Sequence, residues 1–452
     1  MKGIVACLCF ILAGIQHGIC VAGDSPTVLG AEPLTMSRAV EYGLEHNRAL
    51  RSAKQDVMAV DQQVRQARAG FLPKLDSRYS FRRLEDQPYA KAEISGGQSV
   101  EFATGYRNTN RWEVELSQPL FAGFGITAQH RSAKKDLKIA GFKQEQTKLD
   151  VIRSIQRAFL QVLLAEKLHE VTKENVASLE VQRKNAQASF EQGLTAQNDV
   201  LKADVAVAQA RQRERAAAKD LSLIRSQLNQ LLDLDLKQAL VLSEQEIHLQ
   251  VPPSMDELNA IAERQRPEYL SLNESILQTQ DGITGARSRY YPHLSAFAQY
   301  YRDGNDFFAN NNDFTNSNNA AVGLRMDWNL FEGGKTDASI KELRYKQSAL
   351  EELRRDLKQQ IALQVEDAYE QLQVARANIE TAQAALKQAE ENQRMTTLQY
   401  REQLVIFLEV LNAQVFVAQT KVDYYQALYG YQLAWVDLER AVGGPVSGDM
   451  KP

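Results

Sequence analysis

The side chains that could do chemistry are few and scattered along the chain. Gly334-Lys335-Thr336 lies between a predicted strand and a predicted helix, where a phosphate-binding loop would lie. That motif also needs a glycine five positions before Gly334, and residue 329 is Asn. The histidines are isolated, without an i, i+4 metal-binding pair. No nucleophile with a base and no pair of cleft carboxylates stands out. The sequence therefore predicts no enzyme, no cofactor and no metal site.

Composition and charge narrow the class of protein further. The chain has 452 residues, of which 44% are hydrophobic, and a formal net charge of -4. This composition is that of a folded protein rather than a disordered one. Without a basic surplus there is no general attraction for phosphate backbones, so nucleic acid is not an expected partner.

The N-terminus has the pattern of a secretory signal peptide over residues 1–22. Lys2 is followed by a short apolar run and then by small residues near Ala22. All three cysteines, Cys7, Cys9 and Cys20, lie in this leader, so the exported chain would carry no thiol. Lipid attachment at Cys20 is the alternative, but the preceding residues differ from the small apolar ones expected there.

The rest of the chain is one plan repeated twice. Gln118-Pro119-Leu120-Phe121-Ala122-Gly123 aligns with Trp328-Asn329-Leu330-Phe331-Glu332-Gly333 at an offset of 210 residues. The same offset aligns Phe190-Glu191-Gln192-Gly193-Leu194 with Tyr400-Arg401-Glu402-Gln403-Leu404. The predicted repeats span residues 34–235 and 255–443, with a linker at 236–254 and a tail at 444–452.

The residue pattern of each repeat predicts a helical segment of about 35 residues and then two amphipathic strands. The strands are expected at about 73–85 and 109–121, and at about 292–302 and 319–331, because apolar and polar residues alternate there. The segments between them, about 87–107 and 304–318, are polar and are predicted to be loops.

Very long helices follow the strands. No proline occurs from about 126 to 192 or from about 336 to 403, so each segment predicts a helix on the order of 100 Å long. A short turn and a further helix of about 35 to 40 residues follow in both repeats. Such lengths are typical of coiled coils and helical tubes, so two antiparallel helices that meet at a tight tip are expected in each repeat.

The alternating strands favour a membrane barrel over a soluble β-sandwich. Strands with one apolar and one charged face suit a barrel with lipid outside and water inside. Four strands cannot close a barrel, since closure needs at least about eight. The sequence therefore predicts a barrel shared between subunits. The fold class is mainly α with a transmembrane β part.

These features resemble the TolC-like outer-membrane efflux and secretion proteins. The resemblance rests on the two-repeat layout, the Leu-Phe-x-Gly turns after the strands, Arg266-Pro267-Glu268, and the tip sequences. It implies a homotrimer whose 12-stranded barrel, in outer-membrane lipid, continues as a helical tunnel across the periplasm. It also implies docking to a periplasmic adaptor and to an inner-membrane pump or ABC transporter, with substrates passing through without chemistry. A structural periplasmic coiled coil without a pore is the alternative, and an exported hydrolase is a third class.

The resemblance also assigns site residues at the two tips. The adaptor-contact residues it implies are Gly193, Leu194, Thr195, Gln403, Leu404 and Val405. The periplasmic gate residues it implies are Asp199, Glu409, Tyr400 and Asn412. The sequence departs from the family pattern at three of these positions, with Glu409 in place of Asp, Asn412 in place of a second Asp, and Gln403 in place of glycine. Both acids also lie where a carboxylate complements a helix dipole, so gating and capping stay open as roles.

Overall fold

The computed structural model describes residues 33–94, 96–244 and 249–446. The predicted signal peptide, its three cysteines and residues 447–452 of the predicted tail lie outside these ranges. The described chain is mainly helical with a smaller β part, which confirms the predicted fold class at that level. None of the helices in these ranges combines the length and apolar composition that a bilayer crossing requires.

Eight helices follow the same order in both repeats. The first repeat contains α1 (Met36–His46), α2 (Arg48–Ala69), α3 (Gly125–Glu191) and α4 (Gln197–Leu231). The second contains α5 (Met255–Gln265), α6 (Pro267–Arg287), α7 (Lys335–Arg401) and α8 (Phe407–Val442). The helices α3 and α7 each have 67 residues, while α4 has 35 and α8 has 36. At 1.5 Å per residue, α3 and α7 are each about 100 Å long.

The segment predicted as one helix at the start of each repeat is instead two helices with a break. In the first repeat the break is at Asn47, whose side chain accepts a hydrogen bond from the amide of Ala49 at 2.9 Å and so caps α2. In the second it is at Arg266, because the residue before Pro267 is pushed out of helical conformation.

Both breaks are held by the same kind of contact, a side-chain hydrogen bond to a backbone carbonyl. The Asn47 amide donates to the carbonyl of Leu231 at 2.9 Å, and the Arg266 guanidinium donates to the carbonyl of Ala441 at 2.8 Å. Asn47 and Arg266 are buried. The two carbonyls lie near the ends of α4 and α8, so each break is joined to the last helix of its own repeat. Arg266 also pairs with Glu268 at 3.1 Å, and burial is the main reason why its pKa is lowered.

The two repeats share one antiparallel sheet. The strands are β1 (Lys74–Arg83), β2 (Tyr89–Ile94), β3 (Gln98–Ala103), β4 (Asn108–Ala122), β5 (His293–Gly304) and β6 (Asn318–Asp327). The four-stranded sheet has the order β1-β4-β5-β6, so the central pair joins the repeats and β1 and β6 are its edges. The strand predicted to reach residue 331 ends at Asp327, because the register pairs Asp327 with His293, the first residue of β5.

A second correction concerns residues 87–107, which were predicted to be a polar loop. They contain a separate two-stranded hairpin, β2–β3, with Tyr89 paired to Ala103 and Ile94 to Gln98. Gly96 and Gly97 in its turn both have positive φ, 121° and 81°, a conformation that glycine adopts at little cost.

The register of the four-stranded sheet gives it one apolar and one polar face. Residues directly opposite one another share a face, and successive residues alternate. The apolar face includes Leu75, Tyr79, Phe81, Trp112, Val114, Leu116, Ala296, Ala298, Tyr300, Val322, Leu324 and Met326. The polar face includes Lys74, Asp76, Arg78, Arg111, Glu113, Glu115, Gln299, Asp303, Arg325 and Asp327. On the apolar face Val322 is 84% exposed, while Tyr79, nearer the other end of the strands, contacts Phe307 of the β5–β6 loop at a ring-centroid distance of 5.5 Å.

The helices pack around three main clusters of buried side chains. One lies around Phe159 and Ile155 of α3 and includes Leu228 from α4. A second lies around Val365 of α7 and Leu438 of α8. The third is at the tips, described below. The molecule is therefore a helical body with an amphipathic sheet at one end of α3 and α7 and two helical tips at the other.

Candidate functional site

The two helical tips are built by the same turn with different residues. In both, the chain leaves a 67-residue helix through one residue in left-handed conformation, Gly193 with φ 73° and Gln403 with φ 61°. The amide of the next leucine donates to the carbonyl five residues earlier, at 2.8 Å for Leu194 and 2.9 Å for Leu404. This is the closing bond of a Schellman motif. Gln403 thus adopts the glycine conformation although it has a Cβ atom.

The tips expose apolar side chains at their ends. Leu194 is 59% exposed and Leu404 is 73% exposed, while Thr195 and Val405, which follow them, are half-buried. The Thr195 hydroxyl oxygen is buried and has no hydrogen-bond partner within the described ranges. All six predicted tip residues therefore lie in or directly after the two turns, and both leucines are exposed.

The two predicted acids occupy equivalent places but differ in their surroundings. Asp199 and Glu409 are each the third residue of the helix that follows the turn, α4 or α8. Asp199 is half-buried and lies 3.6 Å from Lys202. Glu409 is exposed, and among the described residues it forms no ion pair. Asn412 is exposed one helical turn further along α8. The first-turn position favours a carboxylate through the helix dipole, and the exposure of Glu409 also leaves it available to an aqueous passage.

Tyr400 lies where the two hairpins meet. Its ring centroid is 5.5 Å from that of Phe407, in a cluster with buried residues of α3, α4 and α8. The Tyr400 hydroxyl is buried and has no partner among the described residues. Burial, and secondarily the nearby Asp199 carboxylate, raise the pKa of Tyr400. Of the predicted gate residues, Tyr400 and Asp199 are thus brought together, while Glu409 and Asn412 lie on an exposed face of α8.

Sequence reasoning missed two features of this junction. Phe407 is 1% exposed and anchors the cluster, and its signal was the apolar pair Phe407 and Leu411 at i, i+4. Further along the hairpins, a chain of amides crosses three helices, from Gln393 through Gln414 to Asn175. Gln414 and Asn175 are buried, so their hydrogen bonds fix the register of one hairpin on the other.

The polar face of the sheet carries its own network of charges. Arg325 is 3.1 Å from Glu115, two strands away. Arg111 lies 3.4 Å from Glu113 and 3.8 Å from Asp303. Partly exposed ion pairs remain solvated when this face contacts water. Transfer of the same charged groups into hydrocarbon would be strongly unfavourable in free energy. The geometry therefore suits a face that lines water.

The remaining motifs are structural. Gly334, with φ 83°, is the residue before α7, and the Thr336 hydroxyl donates to the Glu332 carboxylate at 3.1 Å. A phosphate-binding loop needs that hydroxyl free for a metal ion. Among residues 33–94, 96–244 and 249–446, no group of three or more His, Cys, Asp or Glu side chains could hold a metal.

Long paired helices with an amphipathic sheet at one end are the architecture predicted above for an outer-membrane channel. The chain belongs to the outer membrane efflux protein family, whose model matches residues 40–233 and 261–444, one segment in each repeat. The protein is accordingly an outer-membrane efflux or secretion channel with a helical portion in the periplasm.

Named relatives and solved structures agree with this assignment. The chain is 22% identical over 440 residues to the outer membrane efflux protein BepC of Brucella suis, covering 95% of this chain and 90% of the relative. It is 22% identical over 409 residues to the alkaline protease secretion protein AprF of Pseudomonas aeruginosa, covering 88% and 82%. Its fold is similar to the Campylobacter jejuni CmeC outer membrane channel, with a TM-score of 0.75, 17% identity, and coverage of 92% and 87%.

Proposed function

We propose that three copies of this chain form a passive exit duct whose barrel is shared between subunits. The observation that carries the proposal is the open sheet, in which β1 and β6 are unpaired edges of an amphipathic face. Exposed edges of this kind pair with other strands. Two copies would supply about eight strands, whose interior is filled by side chains. Three copies would supply about twelve, which leaves room for water.

In this assembly the apolar sheet face would contact lipid and the Arg325–Glu115 and Arg111–Asp303 pairs would line the lumen. The long helices of three copies would surround the periplasmic passage. The exposed Leu194 and Leu404 would be the contact points for a periplasmic adaptor, which couples the duct to an inner-membrane pump or ABC transporter. One named relative is an efflux protein and another a protease secretion protein, so either class of pump fits.

The proposed gate lies behind these contacts. If Asp199 and Glu409 of three copies face one passage, six carboxylates concentrate negative potential at its narrowest point. Glu409 is the stronger contributor, because Asp199 is partly neutralised by Lys202 at 3.6 Å. Tyr400, packed between the hairpins, would transmit a change of hairpin packing to this ring.

The test is fractionation followed by sizing of the native particle. We expect the protein in the outer-membrane fraction, with a native mass about three times that of the monomer and a return to monomer on heating, because the strand edges must be paired. A stable monomer in detergent-free soluble extract would contradict the shared barrel. An outer-membrane monomer would contradict the trimer but leave the family assignment in place.

A further inference from the structure

We propose that Arg302, on the apolar face of the sheet, binds the phosphate group of a lipid in the outer leaflet of the outer membrane. The inference rests on the proposed orientation of the barrel, in which the apolar face contacts lipid. It assigns a ligand to a charge that the duct function leaves unexplained.

The register places Arg302 on the face that should contain no charge. It pairs with Trp112 of β4 on one side and Asn318 of β6 on the other, and Trp112 pairs with Tyr79 of β1. These four residues form a row across the sheet, next to the row that contains Val114. Counted from the end of the sheet where the long helices begin, it is the first row on the apolar face with a basic side chain. Because β5 has neighbours on both sides within one copy, a second copy would not pair with the strand that carries Arg302.

The contacts of Arg302 leave its charge without a carboxylate. Its guanidinium lies over the Tyr300 ring at 5.6 Å and over the Trp112 ring at 6.0 Å. It donates to the Tyr300 hydroxyl at 2.8 Å and to the Asn310 side-chain carbonyl at 3.1 Å, both neutral groups. In the part of the chain that the structure describes, Arg302 has no ion pair.

Two of the arginines on the other face of the same sheet are paired with acids, while Arg78 on that face has no ion pair among the described residues. Arg111 and Arg325 both have carboxylate partners, Glu113 with Asp303 in one case and Glu115 in the other. A guanidinium offers five donors in a planar fork that matches phosphate oxygens, and aromatic faces hold it in place. The aromatic cage orients Arg302 but supplies no anion. An anion bound to Arg302 would therefore come from outside the described residues.

The position along the strand identifies where that anion would be. The long helices leave the sheet after β4 and β6, so that end faces the periplasm and the β5–β6 loop faces the exterior. From Leu294, at the start of β5, to Arg302 the strand rises on the order of 27 Å, or about 20 Å along a membrane normal at a tilt of about 40°. The apolar band of such barrels is about 25 Å tall, and aromatic residues mark its borders. Arg302 thus lies at the outer border, at the depth of the headgroups.

The test compares lipid binding by the purified oligomer and two matched variants. The probes are a hexa-acylated glucosamine disaccharide with two phosphates and the same lipid after enzymatic dephosphorylation, counted by native mass spectrometry. We expect Arg302→Gln to weaken retention of the phosphorylated lipid by about tenfold, because it removes charge-assisted hydrogen bonds to the phosphate. Arg325→Gln removes the same charge from the polar face and should leave retention unchanged.

The outcomes separate this inference from the proposed duct. Wild-type protein should hold the dephosphorylated lipid as weakly as Arg302→Gln holds the phosphorylated one, and free inorganic phosphate should not compete. Equal loss in the two variants, or equal retention of the two lipids by wild type, would refute the lipid site. Equal retention of the two lipids by wild type refutes the site even if Arg302→Gln fails to assemble. Failure of the wild type to appear as an outer-membrane oligomer would instead count against the proposed function.

Discussion

Replacing Gln403 with glycine should stabilise the second helical tip. Gln403 has φ 61°, whereas the equivalent residue of the first tip, Gly193, has φ 73° and no atom within 4 Å of where a Cβ would be. A left-handed conformation costs a residue with a Cβ roughly 1–2 kcal/mol. Glycine removes that cost but adds about 0.4–1 kcal/mol of entropy to the unfolded chain. The net gain is about 0.5–1 kcal/mol, or about a twofold to fivefold change in local opening.

Hydrogen exchange at the amide of Leu404 measures this directly. That amide donates to the carbonyl of Gln399 at 2.9 Å and exchanges only when the turn opens. The control is Glu402→Gly, at a position with φ -85° and ψ 6°, where glycine relieves nothing and should speed exchange. Gly193→Gln should speed exchange in the first tip through backbone strain alone. If Gln403→Gly and Glu402→Gly speed exchange at Leu404 equally, left-handed strain is not present at Gln403.

Three further predictions concern the gate, the sheet and the C-terminal helix. Glu409→Gln should lower cation preference in planar bilayers and leave the melting temperature unchanged, whereas unchanged selectivity with a lowered melting temperature would assign the acid to the helix dipole. Leu324→Arg on the apolar face should impair assembly by about 2–4 kcal/mol per subunit, while Arg325→Ala on the opposite face should mainly change conductance; equal assembly defects on native gels would mean that the faces are assigned wrongly. Burial raises the pKa of Glu439, although Trp435 donates a hydrogen bond to it at 3.3 Å. The ionised carboxylate therefore destabilises the folded state at neutral pH. This destabilisation decreases as the pH falls below the raised pKa and is absent below the ordinary pKa of the unfolded chain. Glu439→Gln should therefore raise the melting temperature at pH 7 to 8 but not near pH 3, and an equal gain at both values would contradict this assignment.

The strongly periodic parts of the fold could be predicted from the sequence, whereas the contacts that hold the breaks between helices could not. Long stretches without proline indicated α3 and α7, since nothing in them interrupts a helix. The break at Arg266 has a local signal in Pro267, but the contacts that hold both breaks are with carbonyls about 180 residues away in sequence, which no local pattern indicates. The hairpin β2–β3 was missed because its apolar positions include small alanines, although Gly96-Gly97 is a turn signal.

The site shows the same division between local and distant information. The offset of the two repeats placed both tips and both acids at equivalent positions, because one turn geometry serves the two hairpins. It could not show that Asp199 is half-buried beside Lys202 whereas Glu409 is exposed. That difference arises from the packing of one hairpin on the other, in which Tyr400 and Phe407 fill the space next to Asp199.

The equal length of α3 and α7, 67 residues each, restricts how this protein can vary by insertion and deletion. One added heptad would lengthen a helix by about 10 Å. A heptad added to α3 alone would displace the first tip beyond the second. It would separate Tyr400 from Asp199 and break the hydrogen bond between the amides of Asn175 and Gln414. A viable change of tunnel length therefore requires matched insertions in α3, α4, α7 and α8. Length differences between descendants of this gene should occur as sets of four, at corresponding positions of the two repeats.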